Sequence, residues 1–95
     1  PELTFIGGTN SYRAMDRNWH RYRDSAHAPV MLPALFIGGQ QDPVVRLGSD
    51  AEFEHMRDRV TDLRGLHLVE NAGHFVQQEQ PAATNRLLLS FLAGL

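Results

Sequence analysis

The chain has 95 residues, of which 42% are apolar and 21% are charged, a size that describes one small globular unit and excludes a second independent domain. Arginine supplies all nine basic side chains against eleven acidic ones, for a net charge of -2, and this balance excludes a basic surface for nucleic acid or for an anionic membrane. The sequence contains neither cysteine nor lysine, which excludes disulfides, thiolate nucleophiles and Schiff-base chemistry.

A helix is predicted near the start of the chain. The pair Gly7-Gly8 predicts a turn, and Asn10 follows it as a candidate helix cap. Large apolar side chains then recur at helical spacing: Tyr12, Met15, Trp19 and Tyr22. Residues 25–33 contain two prolines and no sustained period, which predicts an extended connector.

The next segments predict a buried strand and a second helix. Residues 34–37 are an unbroken apolar run followed by two glycines, which is typical of a strand buried on both faces of a parallel sheet. Ser49 and Glu52 form a capping box. Apolar side chains follow at helical spacing: Phe53, Met56, Val60 and Leu63. Arg64 and Gly65 predict the end of this helix.

A second strand and a final helix complete the chain. Residues 66–70 predict the strand, residues 71–74 predict its exit turn, and the last helix begins near Pro81. The alternation of helices and strands predicts an α/β fold with parallel strands. A two-stranded parallel sheet with these helices cannot cover both apolar faces of the strand at residues 34–37 and also protect its own edges. We therefore expect the chain to be the end of a larger fold, with a bare strand edge and an exposed apolar face.

The sequence contains no pattern for export or for membrane insertion. No apolar run approaches the ~20 residues of a membrane span, and the N-terminus lacks the basic-then-apolar pattern of a signal peptide. We therefore expect a cytoplasmic protein. Since the chain begins with Pro1 rather than methionine, we also expect these residues to come from a longer chain.

Two candidate catalytic residues follow the two predicted strands. Asp42 comes just beyond the first strand and His74 just beyond the second. Loops that leave the carboxyl ends of neighbouring parallel strands converge at one edge, so we predict that Asp42 and His74 lie within hydrogen-bond reach. An aspartate on one ring nitrogen fixes the histidine tautomer and leaves the other nitrogen free to accept a proton. This order of acid before histidine is that of α/β-hydrolase triads.

Each of these residues taken alone has a simpler interpretation. Asp42 before Pro43 favours a turn without any catalytic role, and a histidine after a glycine is commonly an ordinary loop residue. Their joint placement at two strand exits favours catalysis. The remaining histidines lack the spacing of metal ligands, so we expect no metal site and no cofactor: His20, His27, His55 and His67.

Three segments together resemble the C-terminal portion of epoxide hydrolases of the α/β-hydrolase fold. They are residues 10–19 (NSYRAMDRNW), 33–42 (PALFIGGQQD) and 72–81 (AGHFVQQEQP), and the likeness covers nearly the whole chain. The second and third are shared by many α/β-hydrolases, whereas the Asn-x-Tyr-Arg segment is more selective. The resemblance implies that residues 1–32 end a helical lid and that residues 33–95 form the C-terminal part of the hydrolase core.

The resemblance also implies a role for each site residue. In the implied mechanism a carboxylate nucleophile opens the epoxide to form an ester, and an activated water hydrolyses the ester to a diol. Tyr12 would donate to the epoxide oxygen, although periodicity alone favours a packing role for it. His74 would activate the water and Asp42 would orient His74. Phe75 would line the apolar substrate pocket.

The implied partners are a small hydrophobic epoxide and the remainder of the hydrolase chain, while a homodimer stays open. The sequence has no G-x-S-x-G elbow and no nucleophile in a strand-turn-helix context, so we expect the nucleophile upstream and the 95-residue chain alone to be inactive. A haloalkane dehalogenase or a serine esterase would keep Asp42 and His74 without needing Tyr12 as an acid. A non-catalytic ligand-binding protein on the same fold is the other alternative.

Overall fold

Two parallel strands form the centre of the structure, a computed structural model that describes residues 2–48 and 50–95. The strands are β1 (Val30–Gly39) and β2 (Val60–Val69), which are paired in parallel along their lengths. The apolar run at residues 34–37 lies inside β1. The prediction of an α/β fold with parallel strands is therefore confirmed.

Helices precede, connect and follow the strands. They are α1 (Glu2–Tyr22), α2 (Pro43–Leu47), α3 (Asp50–Arg59), α4 (Val76–Glu79) and α5 (Pro81–Ala93), with a 3-10 turn at Arg23–Ser25 after α1. The final helix begins at the predicted proline, which needs no amide partner in the first turn of a helix. None of the helices in the described ranges combines the length and the apolar character needed to cross a membrane.

The side chains of β1 alternate between two helical layers. The ring of Phe36 packs edge-on against that of Phe53 of α3, with 5.9 Å between the centroids. Its neighbour Leu35 points to the other face, where it lines a cavity with Leu87 and Phe91 of α5. This alternation follows from the two-residue period of a strand.

The N-terminal helix is longer than the sequence predicts. Residues 7 and 8 were expected to form a turn, but α1 runs through both glycines, so that prediction is wrong. Neither glycine has a positive φ, and a Cβ at either position would meet nothing within 4 Å. Glycine lowers helix propensity by about 1 kcal/mol relative to alanine without preventing helix formation, and no proline interrupts this segment.

The second helix ends earlier than the sequence predicts. Val60 and Leu63 fit its helical period, yet α3 ends at Arg59 and β2 begins at the next residue. Pairing of Val60 with Val30 supplies backbone partners that the local period does not reveal. Gly65 is not a helix stop. It lies within β2, where a Cβ would approach the side chain of Leu35 to 2.7 Å.

Two further boundaries differ from the sequence prediction. β1 begins at Val30 and contains Pro33, with a register shift between these two residues, as expected where proline cannot donate to the ladder. The predicted extended connector is therefore shorter and follows the 3-10 turn. The short helices α2 and α4 lie in segments for which no helix was predicted. Ser49, the cap of the predicted capping box, lies outside the described residues.

The sheet is incomplete, as expected. Both strands are edge strands in the described part of the chain, and its only buried apolar side chains are Ala72 and Val76. Large apolar groups are exposed on α1, β1 and α5, among them Trp19, Met31 and Leu89. The predicted bare edge and exposed apolar surface are confirmed.

Candidate active site

The loops that follow β1 and β2 leave the same edge of the sheet and are joined by backbone hydrogen bonds. Gly39, the last residue of β1, lies opposite Val69, the last residue of β2. Beyond the strands, the Gln40 amide donates to the Val69 carbonyl at 2.9 Å and the Gln41 amide donates to the Ala72 carbonyl at 2.8 Å. The loops therefore form one connected unit where ligands bind in open α/β sheets.

Asp42 follows the first loop and uses its two carboxylate oxygens on two different partners. Oδ1 accepts a hydrogen bond from the Val44 amide at 2.9 Å and so caps α2. Oδ2 lies 3.0 Å from Nδ1 of His74. The residue is buried, with 6% of its surface exposed. The predicted hydrogen bond between Asp42 and His74 is confirmed, and the local turn role that was its alternative is present as well.

The surroundings of Asp42 keep its carboxyl group ionised. Burial raises the pKa of Asp42. Hydrogen bonds from the Val44 amide and from His74, together with the attraction of the imidazolium charge, lower the pKa by more than burial raises it. The pKa of Asp42 therefore lies below its ordinary value of 3.8. An ionised carboxylate can only accept hydrogen bonds. The proton in the contact with His74 therefore belongs to Nδ1 of the imidazole.

His74 has one ring nitrogen engaged and the other available. Its side chain is 60% exposed, and Nε2 has no hydrogen-bond partner among residues 2–48 and 50–95. The Phe75 ring meets the imidazole edge-on at 5.1 Å between centroids. A neutral imidazole protonated on Nδ1 carries its lone pair on Nε2, and there it can accept a proton from a water molecule.

The side chains of the remaining predicted site residues, Tyr12 and Phe75, form no hydrogen bond with Asp42 or His74. Tyr12 is on α1 with 74% of its surface exposed, and its hydroxyl forms no hydrogen bond with any described residue. Phe75 lies beside His74 and is more than half exposed. Their roles as an acid and as a pocket residue stay predictions. No group of three or more histidine or acidic side chains in the described ranges could hold a metal ion.

One residue at this edge was missed by the sequence analysis. The carboxylate of Glu79 accepts hydrogen bonds from the backbone amides on both sides of His74: from Gly73 to Oε2 at 2.8 Å and from Phe75 to Oε1 at 3.3 Å. The signal available in the sequence is a glutamate one helical turn after Phe75, which becomes informative only if residues 76–79 are helical. The structure places α4 there.

Comparisons with known proteins identify epoxide hydrolases as relatives of this chain. The chain is 43% identical over 91 residues to epoxide hydrolase B of Mycobacterium tuberculosis, covering 96% of the chain and 25% of the relative. It is 39% identical over 92 residues to epoxide hydrolase A of the same organism, covering 96% of the chain and 27% of the relative. To bifunctional epoxide hydrolase 2 of Sus scrofa it is 31% identical over 88 residues, which are 93% of the chain and 15% of the relative.

A solved structure matches the fold as well. Epoxide hydrolase A from Mycobacterium thermoresistibile superimposes with a TM-score of 0.77 at 41% identity, covering 94% of this chain and 27% of that one. No family model matches the sequence. The chain spans about a quarter of the length of the epoxide hydrolases A and B that it matches. It is homologous to that part of these enzymes, and its parallel strands and helices belong to their α/β-hydrolase fold.

Proposed function

We propose that this chain forms the C-terminal, histidine-bearing part of an epoxide hydrolase that converts an epoxide to a vicinal diol through a covalent ester. The observation that carries the proposal is the 3.0 Å contact between Asp42 Oδ2 and His74 Nδ1, which leaves Nε2 free. Homology to epoxide hydrolases A and B supports the choice of substrate class. In this proposal residues 1–32 end the lid and residues 33–95 end the core.

The first step opens the ring. A carboxylate supplied by sequence outside this chain attacks an epoxide carbon, and a new carbon–oxygen bond forms as the ring carbon–oxygen bond breaks. The released oxygen takes a proton from the Tyr12 phenol and becomes a hydroxyl group. The donor is needed because an alkoxide is a poor leaving group unless its charge is met as it develops. Tyr12 would reach the site from the lid.

The second step hydrolyses the ester. Nε2 of His74 removes a proton from a water molecule, and the hydroxide attacks the carbonyl carbon of the ester. The bond between that carbon and the alkyl oxygen breaks as the imidazolium returns its proton to the departing oxygen, which releases the diol and leaves the nucleophile as a carboxylic acid. That acid gives its proton through solvent to the Tyr12 phenolate formed in the first step, so the carboxylate and the phenol are both restored. Asp42 holds the tautomer that leaves Nε2 basic and stabilises the imidazolium that forms. Phe75 would line the apolar side of the pocket, beside the reacting water.

The experiment that tests the proposal is performed on the complete protein with a small aromatic epoxide. Wild type should release the diol, and His74→Gln should form the ester but fail to hydrolyse it, so that mass spectrometry detects one covalent adduct per chain. Turnover of haloalkanes or of carboxylic esters with no turnover of epoxides would assign the protein to the related hydrolase chemistries. Binding of the epoxide without any adduct or product would assign it to the non-catalytic alternative.

A further inference from the structure

We infer that Glu79 is a positioning residue, which fixes the backbone on both sides of His74 and so sets the place from which Nε2 reaches its water. The inference rests on the proposed function for its kinetic consequence. Its structural basis is independent of the reaction. One carboxylate bonds both flanking amides, at 2.8 Å from the Gly73 nitrogen and 3.3 Å from the Phe75 nitrogen.

Glu79 itself is held where it can do this. Its own backbone amide donates to the Phe75 carbonyl at 3.0 Å, and the Gln78 amide donates to the same carbonyl at 2.8 Å. The peptide groups of Phe75 are thus bonded from both the backbone and the side chain of Glu79. Val76, at the start of α4, is buried and anchors this helical turn. The short helix and the histidine loop form a closed ring of hydrogen bonds.

The position of the His74 imidazole depends on its backbone as well as on its side-chain contacts. Its imidazole is 60% exposed, and its contacts within the described chain are the Asp42 hydrogen bond and the edge of Phe75. A displacement of a reacting group by ~1 Å costs on the order of 10²-fold in rate. Backbone hydrogen bonds on both sides of the residue therefore restrain where Nε2 lies, together with the contact with Asp42.

The space between residue 73 and the Glu79 carboxylate is also limited. A Cβ at Gly73 would lie 3.1 Å from Oε1 and 3.3 Å from Oε2 of Glu79, so a side chain there would press on the carboxylate. Glycine at residue 73 lets the carboxylate approach the amide directly. A Cβ there would require the carboxylate to shift by a few tenths of an ångström.

The proposed mechanism makes the effect of Glu79 specific to one step. Ring opening uses the external nucleophile and Tyr12, whereas ester hydrolysis uses His74. An amide at residue 79 keeps the shape of the side chain but offers one acceptor oxygen instead of two, so one of the two bonds is lost. Glu79→Gln should then slow ester hydrolysis by roughly 10- to 100-fold, with ring opening within about 2-fold of wild type.

The test compares the complete wild-type protein with Glu79→Gln and with the control Glu54→Gln. Glu54 lies on α3 with a mostly exposed side chain, 4.0 Å from Arg57. The substitution Glu54→Gln therefore removes the same charge at a site away from the histidine loop. Single-turnover kinetics with a small aromatic epoxide measures ring opening and ester hydrolysis separately. The proton resonance of His74 Nδ1 in histidine-labelled protein, assigned with His74→Gln, reports the contact with Asp42 without any turnover.

Selective slowing of ester hydrolysis in Glu79→Gln, with a shifted or broadened His74 resonance and no change in Glu54→Gln, supports the inference. If Glu79→Gln slows ring opening and ester hydrolysis equally and also lowers the fraction of folded protein, Glu79 is a structural residue and the inference is wrong. Unchanged kinetics and an unchanged resonance would overturn the inference outright. If wild type forms no adduct with any epoxide, the proposed function fails, and the His74 resonance alone still decides whether Glu79 positions the imidazole.

Discussion

The backbone of Gly39 at the end of β1 lies directly against the carbonyl group of Gly73 in the histidine loop. A Cβ on Gly39 would overlap that oxygen and would lie 2.5 Å from the Ala72 oxygen. Since φ of Gly39 is not positive, the reason for glycine here is space and not backbone conformation. This close approach brings the two loops near enough for Asp42 and His74 to form their hydrogen bond.

Substitution of Gly39 by alanine should therefore push the two loops apart. We expect Gly39→Ala to destabilise the protein by about 1–3 kcal/mol, the usual cost of overpacking, and to slow ester hydrolysis more than ring opening. Gly38→Ala is the matched control, because the three atoms nearest to its Cβ, at 3.1 to 3.3 Å, belong to the side chains of Phe36 and Val45, and side chains can move. Denaturant unfolding and single-turnover kinetics measure both effects. Equal behaviour of the two variants would contradict the role of the close approach.

Substitution of Asp42 by asparagine should keep the fold and invert the histidine tautomer. Asparagine caps a helix as well as aspartate does, so its oxygen can still accept from the Val44 amide. Its NH₂ group would then face Nδ1 of His74, which favours the proton on Nε2 and removes the base. We expect Asp42→Asn to slow ester hydrolysis by on the order of 10⁴-fold. A rate near that of wild type, at unchanged stability, would remove Asp42 from the mechanism.

The lowered pKa of Asp42 also makes a prediction about stability. Since its folded-state pKa lies below the ordinary 3.8, the ionised carboxylate stabilises the fold at pH values above the ordinary one. That contribution is lost as the pH falls through the lowered pKa. The difference in unfolding free energy between wild type and Asp42→Asn should thus shrink as the pH falls below about 4. A difference that keeps growing below that pH would mean that the carboxylate is not stabilised by its partners.

The sequence predicted the parallel strands and the Asp42–His74 contact because both depend on local patterns. An apolar run followed by glycines marks β1, and the strand exits place Asp42 and His74 at one edge. The boundary between α3 and β2 was wrong because Val60 fits a helical period equally well. Its choice of strand is decided by pairing with Val30, thirty residues away in the chain.

The hydrogen bonds of the Glu79 carboxylate with the amides of Gly73 and Phe75 could not be predicted for a related reason. They require α4, a single helical turn of four residues that carries no periodic signal, and they require the loop amides of Gly73 and Phe75 to point toward that turn. Neither condition can be deduced from residue types. Short-range patterns identified Asp42 and His74, whereas the contacts of Glu79 with the histidine loop emerged only from the three-dimensional arrangement.

The last prediction concerns Tyr12. Its ring lies on the stripe of α1 that carries Met15, Trp19 and Tyr22, and 74% of its surface is exposed. Tyr12→Phe removes the hydroxyl and keeps the ring, so the stability of the fold should not change. If the phenol meets the charge that develops on the epoxide oxygen, ring opening should slow by ~10²-fold or more, while hydrolysis of the ester once formed should keep its wild-type rate.

Tyr22→Phe is the control for this variant, because Tyr22 shares the same stripe and is 55% exposed. Its ring stacks under Arg21, whose guanidinium carbon lies 5.6 Å from the ring centroid, so loss of its hydroxyl should leave both steps unchanged. A second tyrosine donor outside this chain would reduce the effect of Tyr12→Phe without shifting it to ester hydrolysis. Mass spectrometry of the adduct over time separates the steps, and a ring-opening rate equal to that of wild type would return Tyr12 to a packing role.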